Sequence, residues 1–226
     1  MTRPRRFGLS GLLAALGTAA PALAQAPPQQ PSRQWEFAGG VSWVAPQSLG
    51  TTDADLLAPD GSPFPLFRAR NEAGAGLGFE AHLGTSVARR LDVEFSGAWT
   101  RFDARSLITD DADDVPEVTL SERLTRFSVE GSVVWRFAER NRVVWFLRGG
   151  AGWMREIASD RALSEDGWLV NGGLGVKYWP GANPAGQGAF GLRGEFRVLT
   201  RKDGIAIDDG GFRIWPVVAG SAVVRF

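Results

Sequence analysis

From Trp35 to the end, the chain alternates. Apolar or small side chains take every second position over eight stretches, and charged residues fall between them. The apolar positions of the first stretch are Trp35, Phe37, Gly39, Val41 and Trp43, and of the second Leu77, Phe79, Ala81 and Leu83. Leu91, Val93, Phe95, Gly97 and Trp99 follow, then Phe127, Val129, Gly131, Val133, Trp135 and Phe137. The fifth and sixth run Val143, Trp145, Leu147, Gly149, Ala151, Trp153 and Trp168, Val170, Gly172, Leu174, Val176, Tyr178. Phe190, Leu192, Gly194, Phe196 and Val198 form the seventh, and Ile214, Pro216, Val218, Gly220, Ala222, Val224 and Phe226 the eighth. A period of two is that of a β-strand with one apolar face. None of these positions is charged. Their neighbours include Glu36, Glu80, His82, Asp92, Glu94, Arg126, Glu130, Arg136, Arg148, Lys177, Arg193, Glu195, Arg197 and Arg225. No apolar run reaches the roughly 18 residues of a membrane helix, and helical spacing is not sustained. The pattern predicts an all-β protein, an eight-stranded antiparallel up-and-down transmembrane β-barrel over residues 35–226.

Connection lengths add direction. They are short after the second, fourth and sixth strands (88–90, 138–142 and 180–187). They are long after the first, third, fifth and seventh (44–76, 101–126, 154–167 and 199–213). Short turns on one side and long loops on the other match an outer-membrane barrel, with both chain ends on the periplasmic side and four long loops outside.

The aromatics fall in two rows. Trp35, Trp135, Phe137, Trp145, Tyr178, Phe190 and Phe226 sit at the predicted periplasmic strand ends, and Trp43, Trp99, Phe127, Trp153 and Trp168 at the others. Two aromatic girdles around a plain apolar band belong to the interfaces of a membrane. The competing architecture is a lipocalin-like soluble barrel with its apolar face inward. It has no use for aromatics sorted to both ends or for a last strand ending on Phe226.

Composition narrows the options. The length suits one domain, with 25 basic and 25 acidic residues and no cysteine. Disulfides, thiolate metal sites and cysteine nucleophiles are therefore excluded. No clustered basic face points to nucleic acid. Residues 1–24 carry Arg3, Arg5 and Arg6, then an apolar run ending in Ala22-Leu23-Ala24, the layout of a cleaved secretory signal. A membrane anchor is the alternative, for which the run is short. Removing those three arginines leaves 22 basic against 25 acidic residues. Residues 25–34, rich in Pro and Gln, are expected to be a disordered periplasmic leader.

An eight-stranded barrel has an interior that side chains just fill, so its charges need partners. Setting Trp35 opposite Phe226 places Glu36 across from Arg225. Glu130 then lies diagonal to Arg148 and Asp92 to Arg136, while Arg193, Glu195 and Arg197 share one face. The expected result is a charge-paired plug; the alternative is a narrow or gated ion path.

With these features the chain resembles the small outer-membrane β-barrel proteins, the porin family with OmpA-like and OmpX-like barrel domains. The carriers are the signal, the alternating strands, the balanced interior and the terminal alternation of Ala222, Val224 and Phe226. The resemblance implies a monomer in the outer membrane of a Gram-negative cell envelope, surrounded by outer-membrane lipid and lipopolysaccharide. It also implies that the barrel-assembly machinery reads the last strand as its signal. Nothing follows Phe226, so no peptidoglycan-binding domain or cell-wall tether is expected.

Some outer-membrane barrels are enzymes. The one histidine, His82, has Glu80 two residues before it and Ser86 four after. Lipid A deacylases keep histidine and serine two apart on one strand, and Gly84 stands at that position here. No catalytic residue, cofactor or metal is expected. The acidic runs 110–114 and 208–211 lack the ligand spacing of a calcium loop; weak bridging of a divalent cation to lipopolysaccharide phosphates is the alternative to a solvated surface. Pro59, Pro63, Phe64, Pro65, Leu66 and Phe67 make the first long loop the best partner-contact candidate. The expected role is envelope integrity or surface interaction, against a small-solute channel or a lipid-modifying hydrolase.

Overall fold

A computed structural model describes residues 34–57, 63–109, 118–159, 164–181, 189–202 and 213–226. The expected signal peptide, nearly all of the leader, Pro59 and both acidic runs lie outside the described residues.

The described residues form ten strands: β1 Trp35–Val44, β2 Gln47–Leu57, β3 Pro63–Ala73, β4 Gly76–Ala88, β5 Leu91–Thr109, β6 Val118–Arg140, β7 Val143–Ala158, β8 Ser164–Tyr178, β9 Ala189–Lys202 and β10 Arg213–Arg225. Eight of them close a ring in the order β5-β4-β1-β10-β9-β8-β7-β6, with β6 returning to β5. Every pairing is antiparallel. The ring closes where Trp35 and Phe226 exchange both backbone hydrogen bonds at 2.9 Å, beside the register pair Glu36 and Arg225. Full closure leaves no open edge in the ring, the condition for crossing lipid with strands. Two-residue turns at 89–90 and 141–142 join β4 to β5 and β6 to β7, and Asn141 takes the left-handed conformation (φ 52°) that such a turn needs.

The stretch 44–76, expected as a loop, is instead mostly strand. β2 and β3 pair as a hairpin, and β3 continues along β5 from Ala73 opposite Ala104 to Arg68 opposite Thr109. The sequence does not alternate there because the hairpin stands beyond the apolar belt, where neither face must be apolar. Its strands are joined by the backbone ladder and an exposed Arg68–Asp53 pair at 2.8 Å. Leu66 and Phe67 of the partner-contact candidate lie in β3, half-buried and exposed.

The other long connections shorten as well. β5 and β6 stay paired up to Ile108 opposite Val118, and β7 and β8 up to Ile157 opposite Ser164. Three of the four expected loops are thus replaced, over the described residues, by strands that rise past the belt, whereas β9 and β10 stay paired only up to Arg201 opposite Arg213.

The outer face of the ring is apolar. Leu77 is 69 % exposed, Phe79 63 %, Phe95 59 % and Val41 57 %. At about 25 cal/mol for each Å² of apolar surface in water, a belt of this extent is stable only under an apolar solvent. Gly131, Gly149, Gly172 and Gly220 also open on this face, with nothing near a notional Cβ. The side chains between them point inward and are packed.

Candidate functional site

The chemistry of the molecule is concentrated inside the ring. Inward positions of neighbouring strands carry opposite charges at similar heights, so closing the barrel brings them together. Glu36, Glu80, His82, Asp92, Glu94, Arg126, Glu130, Arg136, Arg148, Lys177, Arg193, Glu195, Arg197 and Arg225 all lie on this inner face, buried or nearly so.

The interior is layered. At the short-turn end Glu36 takes both Lys177 and Arg225 (Arg225 Nη2 to Glu36 Oε2 3.0 Å), joining β8 and β10 to β1 across the seam. Arg225 stacks over Trp179 at 4.4 Å, and Trp179 packs with Ala38, Val144 and Val223. Nearby, Arg136 Nε lies 3.3 Å from Asp92, and the Ser86 hydroxyl donates to Asp92 at 2.7 Å. One layer further in, the buried Phe146 ring carries Arg193 at 4.7 Å on its face. Gly175 on β8 makes the space: a Cβ there would stand 2.2 Å from Phe146 Cζ.

The middle layer is the densest. Arg148, with no exposed side-chain surface, lies 3.3 Å from Glu94, 3.3 Å from Glu130 and 3.4 Å from Glu195. It donates to Ser96 at 2.7 Å and to Ser132 at 3.0 Å. Arg193 holds Glu94 and Glu195, each at 2.6 Å, and Arg197 pairs with Glu80. Asn171 donates to Glu130 at 2.7 Å. His82 is clamped between two carboxylates, Nε2 2.9 Å from Glu80 and Nδ1 3.1 Å from Glu94. Glu80 and Glu94 thus hold the His82 ring, and Ser86 is engaged with Asp92, so histidine and serine are not assembled as a nucleophile and its base.

Above this layer Arg126 and Arg201 converge on Glu156. Arg126 Nε donates at 2.7 Å and Arg201 Nη1 at 2.6 Å, and both guanidiniums lie over Trp215, at 4.2 and 5.4 Å. Val44, Leu49, Phe102, Leu124 and Val217 pack around Trp215 as an apolar cap. Beside it, lined in part by Thr100, Glu130, Arg197 and Trp215, is a cavity of about 20 Å³. That is room for about one water molecule.

Glu156, Arg201, Trp179, Trp215, Phe146 and Asn171 escaped the sequence reading. The first two lie in the connections 154–167 and 199–213, although their parity already places them inward. The expected pairs Glu36–Arg225, Glu130–Arg148 and Asp92–Arg136 are each present.

On the outer face the girdle residues occupy two bands. Trp35 pairs with Phe226, Val143 with Tyr178 and Leu91 with Trp135 at the short-turn end; Trp145 is nearby. Trp99 pairs with Phe127, Trp153 with Trp168 and Trp43 with Leu77 at the other. Ala222 and Val224 face outward on β10, leading to Phe226.

Among solved structures, the outer membrane protein OprG from Pseudomonas aeruginosa superimposes with a TM-score of 0.53 at 13% identity, covering 87% of this chain and 97% of that one. The fold is that of a small outer-membrane β-barrel. Two others align less closely. Ail, the attachment invasion locus protein of Yersinia pestis, gives a TM-score of 0.43 at 14% identity over 86% of this chain and 99% of its own. Neisserial surface protein A gives 0.46 at 12% identity over 85% and 95%. No protein-family model matches the chain, and no curated protein sequence does.

Proposed function

We propose that the protein is an integral outer-membrane barrel that neither conducts nor catalyses, and that it acts through the strands it raises above the cell surface. The observation that carries this reading is the filled interior. Ion pairs cross the lumen from wall to wall, apolar caps around Trp179 and Trp215 lie below and above them, and the cavity beside the Trp215 cap takes about one water. A barrel so closed has its usable surface outside. The tall β2–β3 and β5–β6 hairpins are that surface, and surface interaction is the role they fit. The export signal, the monomeric state and insertion by the barrel-assembly machinery complete this reading.

The lack of native cysteine gives a clean test. Thr52→Cys on β2 should react with a membrane-impermeant maleimide on intact Gram-negative cells, and Arg140→Cys at the short-turn end only after lysis. The reverse pattern, or labelling of both only after lysis, would defeat the proposed orientation and location.

A further inference from the structure

Immediately above the aromatic band, the outer surface carries a cavity of about 380 Å³, lined by Arg101, Arg123, Thr125, Phe127, Ile157, Ala158 and Ser159. The strand register accounts for its form. Arg101, Thr125 and Ile157 lie in one row across β5, β6 and β7, with Trp99, Phe127 and Arg155 in the row on the membrane side. In the row above, Asp103 lies opposite Arg123. Two guanidiniums and a hydroxyl therefore stand over an aromatic floor where apolar surface gives way to polar.

The cations are available. Arg101 lies over the Trp99 ring at 4.8 Å and, among the described residues, has no carboxylate partner. Arg123 has one exposed contact, to Asp103 at 3.5 Å, a pair of little energy. The next arginine along the band behaves differently: Arg155 is committed to Asp166 through two hydrogen bonds, at 2.7 and 2.8 Å.

We infer that this cavity binds the phosphate of a phosphorylated lipid in the surrounding outer leaflet. Arg101 and Arg123 would hold the phosphate oxygens from two sides, with the Thr125 hydroxyl as a third donor. The acyl part would descend over Phe127 and Ile157. Guanidinium forks match phosphate geometry, and only a ligand already anchored in the membrane presents a phosphate and a hydrocarbon chain at this height together. The inference rests on the membrane-embedded reading above.

The test uses the mature chain refolded into lipid nanodiscs containing a minor fraction of bisphosphorylated lipid A, with retained lipid counted by native mass spectrometry. Heat-modifiability on gels first establishes that each variant has formed and inserted its barrel, so failure of the membrane reading is seen separately. Wild type should retain lipid A, and the double variant Arg101→Gln/Arg123→Gln should lose at least about ten-fold, the size of effect expected for loss of charge-assisted bonds. The control Arg140→Gln/Arg142→Gln, exposed at the short-turn end, should behave as wild type, and dephosphorylated lipid A should be retained poorly. Equal retention by wild type and the Arg101/Arg123 variant would overturn the inference, as would equal retention of the dephosphorylated lipid. Displacement of lipid A by millimolar inorganic phosphate would instead make this a site for soluble anions and also overturn it.

Discussion

Arg148 is the residue whose loss the barrel should feel most. Its side chain has no exposed surface and reaches Glu94, Glu130 and Glu195 as well as the hydroxyls of Ser96 and Ser132. Arg148→Met keeps much of the volume and removes the charge, leaving three carboxylates facing one another. Glu94 and Glu195 retain Arg193, but among the described cations Glu130 has no replacement so close. Breaking a buried ion pair by removing one partner costs about 3–5 kcal/mol, although Glu130 keeps the hydrogen bond from Asn171 at 2.7 Å. The expected destabilisation is therefore about 4 kcal/mol. Reversible urea unfolding in lipid vesicles, followed by tryptophan fluorescence and gel mobility, would measure it. The double variant Arg148→Met/Glu130→Gln should recover part of the loss, since the two groups are coupled. A cost under about 1 kcal/mol, the range of solvent-exposed pairs, would refute the reasoning by placing water around Arg148.

Further outcomes follow from the same geometry. Glu36→Gln leaves Lys177 and Arg225 without their shared carboxylate at the closing seam and should cost several kcal/mol, read in the same unfolding assay. Gly175→Val places carbon against Phe146 where a Cβ would already stand at 2.2 Å; overpacking should cost about 1–3 kcal/mol or more, seen as a lower unfolding midpoint. Replacing residues 45–75 by a two-residue turn should leave the barrel intact, because Val44 already lies opposite Gly76 and β4 pairs directly with β1. A variant that fails the heat-modifiability test would show that the β2–β3 hairpin is needed for closure.

The belt was legible because lipid imposes a strict rule on one face. Each outward position inside the belt must be uncharged, and the two-residue period follows. Antiparallel closure then let Glu36 be set against Arg225 by counting alone. The β2–β3 hairpin was not legible, since strands such as Gly50–Thr51–Thr52–Asp53 stand where neither face needs to be apolar and ladder hydrogen bonds leave no mark on composition. Trp179 and Trp215 carry a different lesson. Each follows an outward residue, Tyr178 and Ile214, so each lies on the inward parity. A tryptophan on the inward parity of a barrel strand, or one residue past its end as Trp179 is, marks a cap over the lumen, and arginine stacking on it is how the charged layer meets the apolar one.

The central claim is that the lumen is closed, and planar-bilayer conductance of the refolded mature chain tests it most directly. A barrel whose fold is verified by heat-modifiability should give no channel steps under applied voltage. Discrete steps, altered by Arg193→Gln or Arg148→Gln, would contradict the account and make the charged interior an ion path.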